Sequence, residues 1–167
     1  EELELAVTPH ATSKITEEAD LSAIASLGFR GEALASIGSI SQLLLRSRQE
    51  IAESGTQIEV DGGDLTKPKP VGASVGTTVE VKRLFFNTPA RRKFLKSDGA
   101  ETTRVREVVQ RLAASHHAVA FTFRSGDALL LEYPQATSKE RILSIFGCEL
   151  DGELIEIDGS IEGIHLW

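Results

Sequence analysis

Two glycines three residues apart, Gly28 and Gly31, stand directly before the helix-forming run Glu32-Ala33-Leu34-Ala35-Ser36-Ile37, with Phe29 and Arg30 between them. Glycine reaches dihedrals that other residues avoid and lets backbone pass close to another group. A helix starting beside such a turn offers N–H groups with no intrahelical acceptor and the positive end of its dipole, which suits an anion. On these residues alone the segment reads two ways, as an ordinary tight turn or as a phosphate-binding loop. Either reading requires a loop-to-helix junction, with Leu34 and Ile37 at i and i+3 on the buried face.

Beyond Ile37 the apolar period changes to two. Ile40, Leu43 and Leu45 predict a strand through Arg46, and residues 56–60 and 65–69 predict a hairpin turning at Asp61-Gly62-Gly63-Asp64. Lys67-Pro68-Lys69-Pro70 belongs on a sheet edge, where proline costs no ladder bond and lysine discourages sticking. Thr77, Val79 and Val81 predict a further strand, and Thr88-Pro89 a helix start with threonine as cap. Val105, Val108, Val109 and Leu112 have the spacing of an amphipathic helix, the clearest in the chain. Phe121 and Phe123, then Leu129, Leu131 and Tyr133, predict two strands joined at Ser125-Gly126-Asp127.

At the front, residues 1–7 predict a helix closed by Pro9, and Asp20 caps a short helix through Leu21, Ile24 and Ala25 that ends at Gly28. Towards the end, Pro134 to Ser138 predicts an interdomain joint. Ile142, Ile145 and Phe146 then mark a helix ended by Gly147, with strands at 154–157 and 161–167. The order predicts an α+β fold, a two-layer sandwich of helices against one mixed sheet over residues 1–133. Residues 134–167 then open a second α/β domain.

Charge is unevenly distributed. The chain carries −7, yet residues 82–111 hold nine basic and three acidic side chains, a net +6 that leaves −13 for the remainder. Such asymmetry permits a basic face able to meet phosphates, and equally a solvated helix surface. Arg91, Arg92, Lys93 and Lys96 are the DNA-contact candidates. With few aromatics among them, backbone contact without sequence preference is the expected mode rather than base stacking.

Other chemistries find little support. No apolar run approaches the ~20 residues of a membrane span, and the one cysteine, Cys148, fits a reducing compartment and reads as a small buried hydrophobe beside Phe146. His116 and His117 are adjacent and cannot both face one metal from a helix, so they read as a helix-end cation pair, and no metal site is expected. His10 reads as loop packing. No nucleophile elbow accompanies the serines.

Four motifs occur in one order: His10-Ala11-Thr12-Ser13-Lys14-Ile15, the glycine segment from Ser26 to Ile37, Gly76-Thr77-Thr78-Val79-Glu80-Val81, and Leu84-Phe85-Phe86-Asn87-Thr88-Pro89-Ala90-Arg91-Arg92-Lys93-Phe94-Leu95. In this the chain resembles the MutL family of DNA mismatch-repair proteins in its bacterial form. The match is strong from about His10 to Lys96 and looser to the C-terminus. The resemblance implies the Bergerat ATPase fold shared with gyrase and histidine kinases (the GHKL type), followed by a domain like the second domain of ribosomal protein S5.

It implies ATP and Mg as cofactors, slow ATP hydrolysis, ATP-gated homodimerisation through the N-terminal region, contact with DNA, and signalling between mismatch-recognition and downstream repair proteins in the cytoplasm. Thr12, Ser13, Lys14, Gly28, Phe29, Arg30, Gly31, Glu32, Ala33, Leu34 and Thr77 fall on its nucleotide-binding positions. Arg30 would sit near phosphate or pair with Glu32, and Glu32 would favour the first helical turn by dipole and capping. The family's catalytic glutamate, Mg-ligand asparagine and Asp-x-Gly-x-Gly loop precede the segment resembling His10-Ala11-Thr12. Only nine residues stand before His10 and none fits, while Asp61-Gly62-Gly63-Asp64 has the wrong spacing. The expectation is an internal fragment with the phosphate half of an ATP site, no catalytic residue of its own, and no turnover alone. A non-catalytic DNA- or partner-binding piece is the alternative.

Overall fold

The computed structural model describes residues 2–14, 27–155, 159–161 and 164–166. The chain forms two compact units, Glu1–Leu95 and Lys96–Trp167. The joint expected at residues 134–138 lies inside the second of these. The short helix expected from Asp20 through Ala25 lies outside the described residues.

In the first unit, helices α1 (Glu2–Val7) and α2 (Ala33–Ser39) precede strands β1 (Gln42–Arg48), β2 (Gly55–Asp61), β3 (Asp64–Leu65), β4 (Lys69–Val71) and β5 (Gly76–Lys82), then the single turn α3 (Pro89–Arg92). The sheet order is β3-β2-β1-β5, with β4 also on β2, and every pairing among described strands is antiparallel. Alternation puts Leu43 opposite Val60 and Leu45 opposite Ile58 on one face. These four are buried with Val7, and Leu3 of α1 and Leu34 and Ile37 of α2 pack onto them. Each such side chain contributes roughly 1.5–3 kcal/mol of burial.

The helices lie over β1 and β2, so Val79 and Val81 of β5 share the apolar face but stay 50% and 42% exposed. On the opposite face Arg46 Nε and Nη2 donate to Gln57 Oε1, and Gln57 Nε2 and Lys69 Nζ both donate to Glu59. The Lys69 ammonium, then Gln57, hold the Glu59 carboxyl below its ordinary range.

The hairpin turns on Gly62 and Gly63, both at positive φ (59° and 105°), with Asp61 opposite Asp64. That is the backbone a two-residue loop needs and the reason for two glycines. Its return limb breaks after Leu65 and resumes at Lys69, leaving Pro70 at the edge opposite Thr56. Thr88 precedes Pro89 at the start of α3, but its side chain makes no capping bond and its Oγ1 is buried without a partner.

The second unit contains α4 (Asp98–Ser115), the hairpin β6 (Phe121–Ser125) and β7 (Ala128–Tyr133), α5 (Ser138–Phe146), a 3-10 turn (Cys148–Leu150) and the short pair β8 (Gly159–Ile161) and β9 (Ile164–Leu166). Its core is Ala113, Leu131 and Tyr133, with Val109, Phe121, Phe123 and Ile145 against them. The amphipathic reading of α4 needs correction. Val105, Val108 and Leu112 are exposed, because the hairpin packs on the flank carrying the small Ala113. Cys148 is exposed rather than buried, and Leu154 and Ile155 are exposed and outside any strand.

Helix α5 begins with a capping box: Thr137 Oγ1 accepts from Glu140 N–H and the Glu140 carboxylate accepts from Thr137 N–H. It stops at Gly147 (φ 114°). Its Arg141 is 1% exposed and donates to four carbonyls, Ala113 (2.9 Å), His117 (3.2 Å), Val119 (3.0 Å) and Pro134 (2.6 Å). The guanidinium lies against the Phe121 and Tyr133 rings. The two histidines take separate partners, His116 at the α4 C-terminus and His117 at the Ala136 carbonyl.

Candidate functional site

Two strips of chain from the predicted motifs come together in the first unit. Residues 10–14 lie along residues 27–32, bound at three places: Lys14 Nζ donates to Leu27 O (2.6 Å), Thr12 Oγ1 to Gly28 O (3.4 Å), and His10 Nδ1 stands 3.2 Å from Glu32 Oε1. Gly28 and Gly31 both take positive φ, 76° and 62°, and Gly31 N–H closes a turn onto Gly28 O. A Cβ on Gly31 would overlap the Ala11 carbonyl. The close approach that demands glycine is therefore by the chain's own backbone.

Beside these strips lies a cavity of about 700 Å³. Thr12, Ser13, Lys14, Gly28, Gly31, Ala33 and Leu34 of the candidate set line it, together with Glu2, Leu5, Ala6, His10 and Ala11. Nothing in the residue pattern marked the α1 side chains. They are brought there because α1 and α2 pack on the same face of the sheet.

Phe29, Arg30 and Glu32 belong to the same turn but are not among the lining residues. Arg30 stacks over the Phe29 ring at 5.4 Å, and the Glu32 carboxylate is with His10. Glu32 occupies the position before α2 yet makes no capping bond, so the expected side-chain cap is not formed. The first helical bond runs from Ser36 N–H to Glu32 O. The N–H groups of Ala33, Leu34 and Ala35 precede it and have no acceptor within the helix.

Thr77 sits apart from the cavity lining, near the start of β5, with its hydroxyl 2.9 Å from Ser47 Oγ. Arg91, Arg92 and Lys93 are exposed at α3, with Arg91 over the Phe85 ring, and Lys96 is exposed in the second unit.

The donor set at the cavity suits an anion. Lys14 has three N–H donors and spends one on Leu27 O, and the Ser13 hydroxyl belongs to the same lining, while the one O–H of Thr12 is given to Gly28 O. Among the described residues no three His, Cys, Asp or Glu side chains stand close enough to hold a metal ion, so no residue here is assigned to Mg. No described helix is long and apolar enough to cross a membrane.

Comparison with known proteins bears on the family and the fold. No family model matches the chain. The DNA mismatch repair protein MutL of Mesorhizobium japonicum is 45% identical over 170 residues, covering 99% of this chain and 27% of that protein. The MutL of Neisseria meningitidis is 42% identical over 167 residues, 100% of this chain and 25% of the relative. Among solved structures, the Aquifex aeolicus MutL ATPase domain complexed with ADP is 37% identical, with a TM-score of 0.66 over 78% of this chain and 52% of that one. The N-terminal domain of a DNA repair protein is 28% identical, with a TM-score of 0.67 over 93% of this chain and 46% of that one. The chain spans about a quarter of the length of these full-length relatives. On identity that runs from end to end, together with a fold matching the ATPase domain, the chain belongs to the MutL family of DNA mismatch repair proteins.

Proposed function

We propose that this chain carries the phosphate side of a nucleotide site in a mismatch-repair protein that couples ATP to dimerisation and to signalling between repair partners. The observation that carries the reading is the meeting of residues 10–14 with Gly28, Gly31, Ala33 and Leu34 at one cavity, in a fold similar to an ATPase domain bound to ADP. Lys14 would hold phosphate oxygens by its ammonium, Ser13 by its hydroxyl, Thr12 by its hydroxyl once that turns from Gly28 O, and the turn and first residues of α2 by main-chain N–H groups. Bound ATP would supply the reactive γ-phosphate. This chain's own residues position and neutralise it, and none is assigned as base.

Two parts belong to this proposal, an ATPase part over residues 1–133 and the beginning of a transducer-like domain over 134–167. Thr77 is proposed to face nucleotide in the full-length protein, where Mg, the homodimer and the cytoplasmic setting also belong. Arg91, Arg92, Lys93 and Lys96 are proposed to meet the DNA backbone.

The test is calorimetric titration of ADP into the full-length protein and its Lys14→Ala variant. Affinity should fall about tenfold in the variant, the worth of one charge-assisted contact, and the 167-residue chain alone should release no phosphate from ATP. Unchanged affinity, or turnover by this chain alone, would overturn the reading.

A further inference from the structure

Helix α2 has seven residues, too few to persist on its own propensity, and its last four carbonyls need outside donors. All four have one. Ser36 O accepts from Ser39 Oγ (2.8 Å), Ile37 O from Ser41 Oγ (2.6 Å), Gly38 O from Gly63 N–H (3.1 Å) and Ser39 O from Asn87 Nδ2 (2.8 Å). Just past the helix, Ile40 O accepts from Phe85 N–H (2.7 Å). The Asn87 bond is the side-chain contribution from a distant segment, 48 residues along the chain.

That segment holds a costly shape. Arg83 and Phe85 both sit at positive φ, 51° and 63°, where side chains other than glycine are strained. Such conformations persist where surroundings over-determine them. Here Arg83 stacks on Phe86, Arg91 on Phe85, and the Phe86 ring and Asn87 amide crowd Gly62 in the hairpin turn. The strained loop and the hairpin turn thus form one clamp on the C-terminal end of α2, while Gly31, Ala33 and Leu34 at its other end line the cavity.

We propose that Asn87 is a positioning residue for the nucleotide site: it fixes α2 lengthwise from behind and so sets the cavity wall that meets phosphate. This rests on the nucleotide reading above. The residue touches no ligand itself. Replacing the amide by an isosteric carboxylate removes the donor and turns an acceptor towards Ser39 O, so α2 loosens while sheet and core keep their contacts.

The experiment compares full-length wild type, Asn87→Asp, and Phe85→Gly, which relieves the strain and keeps the N–H. Two readouts are taken below the melting transition, amide exchange along α2 without nucleotide and the affinities for ADP and adenosine. Asn87→Asp should speed exchange at Ser36 and Ile40, weaken ADP about fivefold to tenfold, and leave adenosine unchanged. Phe85→Gly should leave both affinities near wild type. Unchanged exchange in α2 overturns the clamp, and an equal loss for ADP and adenosine overturns positioning in favour of general destabilisation. If wild type binds no ADP while α2 still responds to Asn87→Asp, the nucleotide reading and the positioning role fall together and the clamp remains.

Discussion

Gly31→Ala separates a backbone preference from a steric demand. Alanine at φ 62° pays about 1 kcal/mol for the left-handed region. At this position the new Cβ would also overlap the Ala11 carbonyl oxygen and stand 2.6 Å from its carbon. Both are backbone atoms, so the clash is relieved only by lifting residues 10–14 away from the turn. Lifting them breaks the Lys14–Leu27 bond, worth about 1 kcal/mol in its exposed setting. The exposed His10–Glu32 pair adds little. The expected cost is about 2–3 kcal/mol.

Gly126→Ala is the control, at φ 56° in the β6–β7 turn with nothing within 4 Å of the added carbon, and it should cost about 1 kcal/mol. Urea unfolding followed by residue-resolved NMR reads each unit by itself. Equal costs for the two, within about 0.5 kcal/mol, would refute the argument from close approach.

Arg141→Met keeps the aliphatic stem but withdraws the guanidinium from four carbonyls, of which His117 O keeps the Ala136 N–H. It should cost the second unit about 3 kcal/mol or more, and a stability unchanged in denaturant unfolding would contradict the cage. The Thr137 backbone N–H, and then the Thr137 hydroxyl, hold the Glu140 carboxyl below its ordinary value of 4.5. Its contribution is complete above that value and is lost as pH falls through the lowered one. Protection of the first-turn amides of α5, relative to their intrinsic exchange, should therefore fall on acidification below about 4.5, and Glu140→Gln should flatten that response. For the basic candidates, the double change Arg91→Glu/Arg92→Glu should weaken duplex DNA binding by the full-length protein and make its salt dependence shallower. Affinity indifferent to both salt and the change would dismiss that contact.

How far residues foretold structure depended on whether the deciding interaction was local. Gly62-Gly63 announced its hairpin because the turn's dihedrals are a property of those two residues. Gly147 announced the end of α5 in the same way. The stripe on α4 misled because burial was decided by a hairpin packing on the flank of Ala113, which spacing along one helix does not record. Thr88 was read as a cap from its place before Pro89, but its hydroxyl finds no partner. At the site, residues 12–14 meet residues 28–34 across a span of sequence that no local pattern bridges. The neighbour that makes glycine necessary at 31 is the carbonyl of Ala11, and a carbonyl leaves no mark in a sequence. The coupling of Asn87 to Ser39 spans 48 positions and was equally hidden.

The guanidinium at position 141 is surrounded by peptide dipoles and ring faces, and its hydrogen-bond acceptors among the described residues are carbonyls rather than carboxylates. Acid cannot discharge such acceptors, and dissolved ions cannot screen them as they would an exposed ion pair. These bonds set no demand on the kind of residue lending the oxygen, since any amino acid brings the same carbonyl; Ala113 is held to its size by the core instead. For the anchor of α5, selection would then register at the arginine, with little trace of it in the surrounding letters.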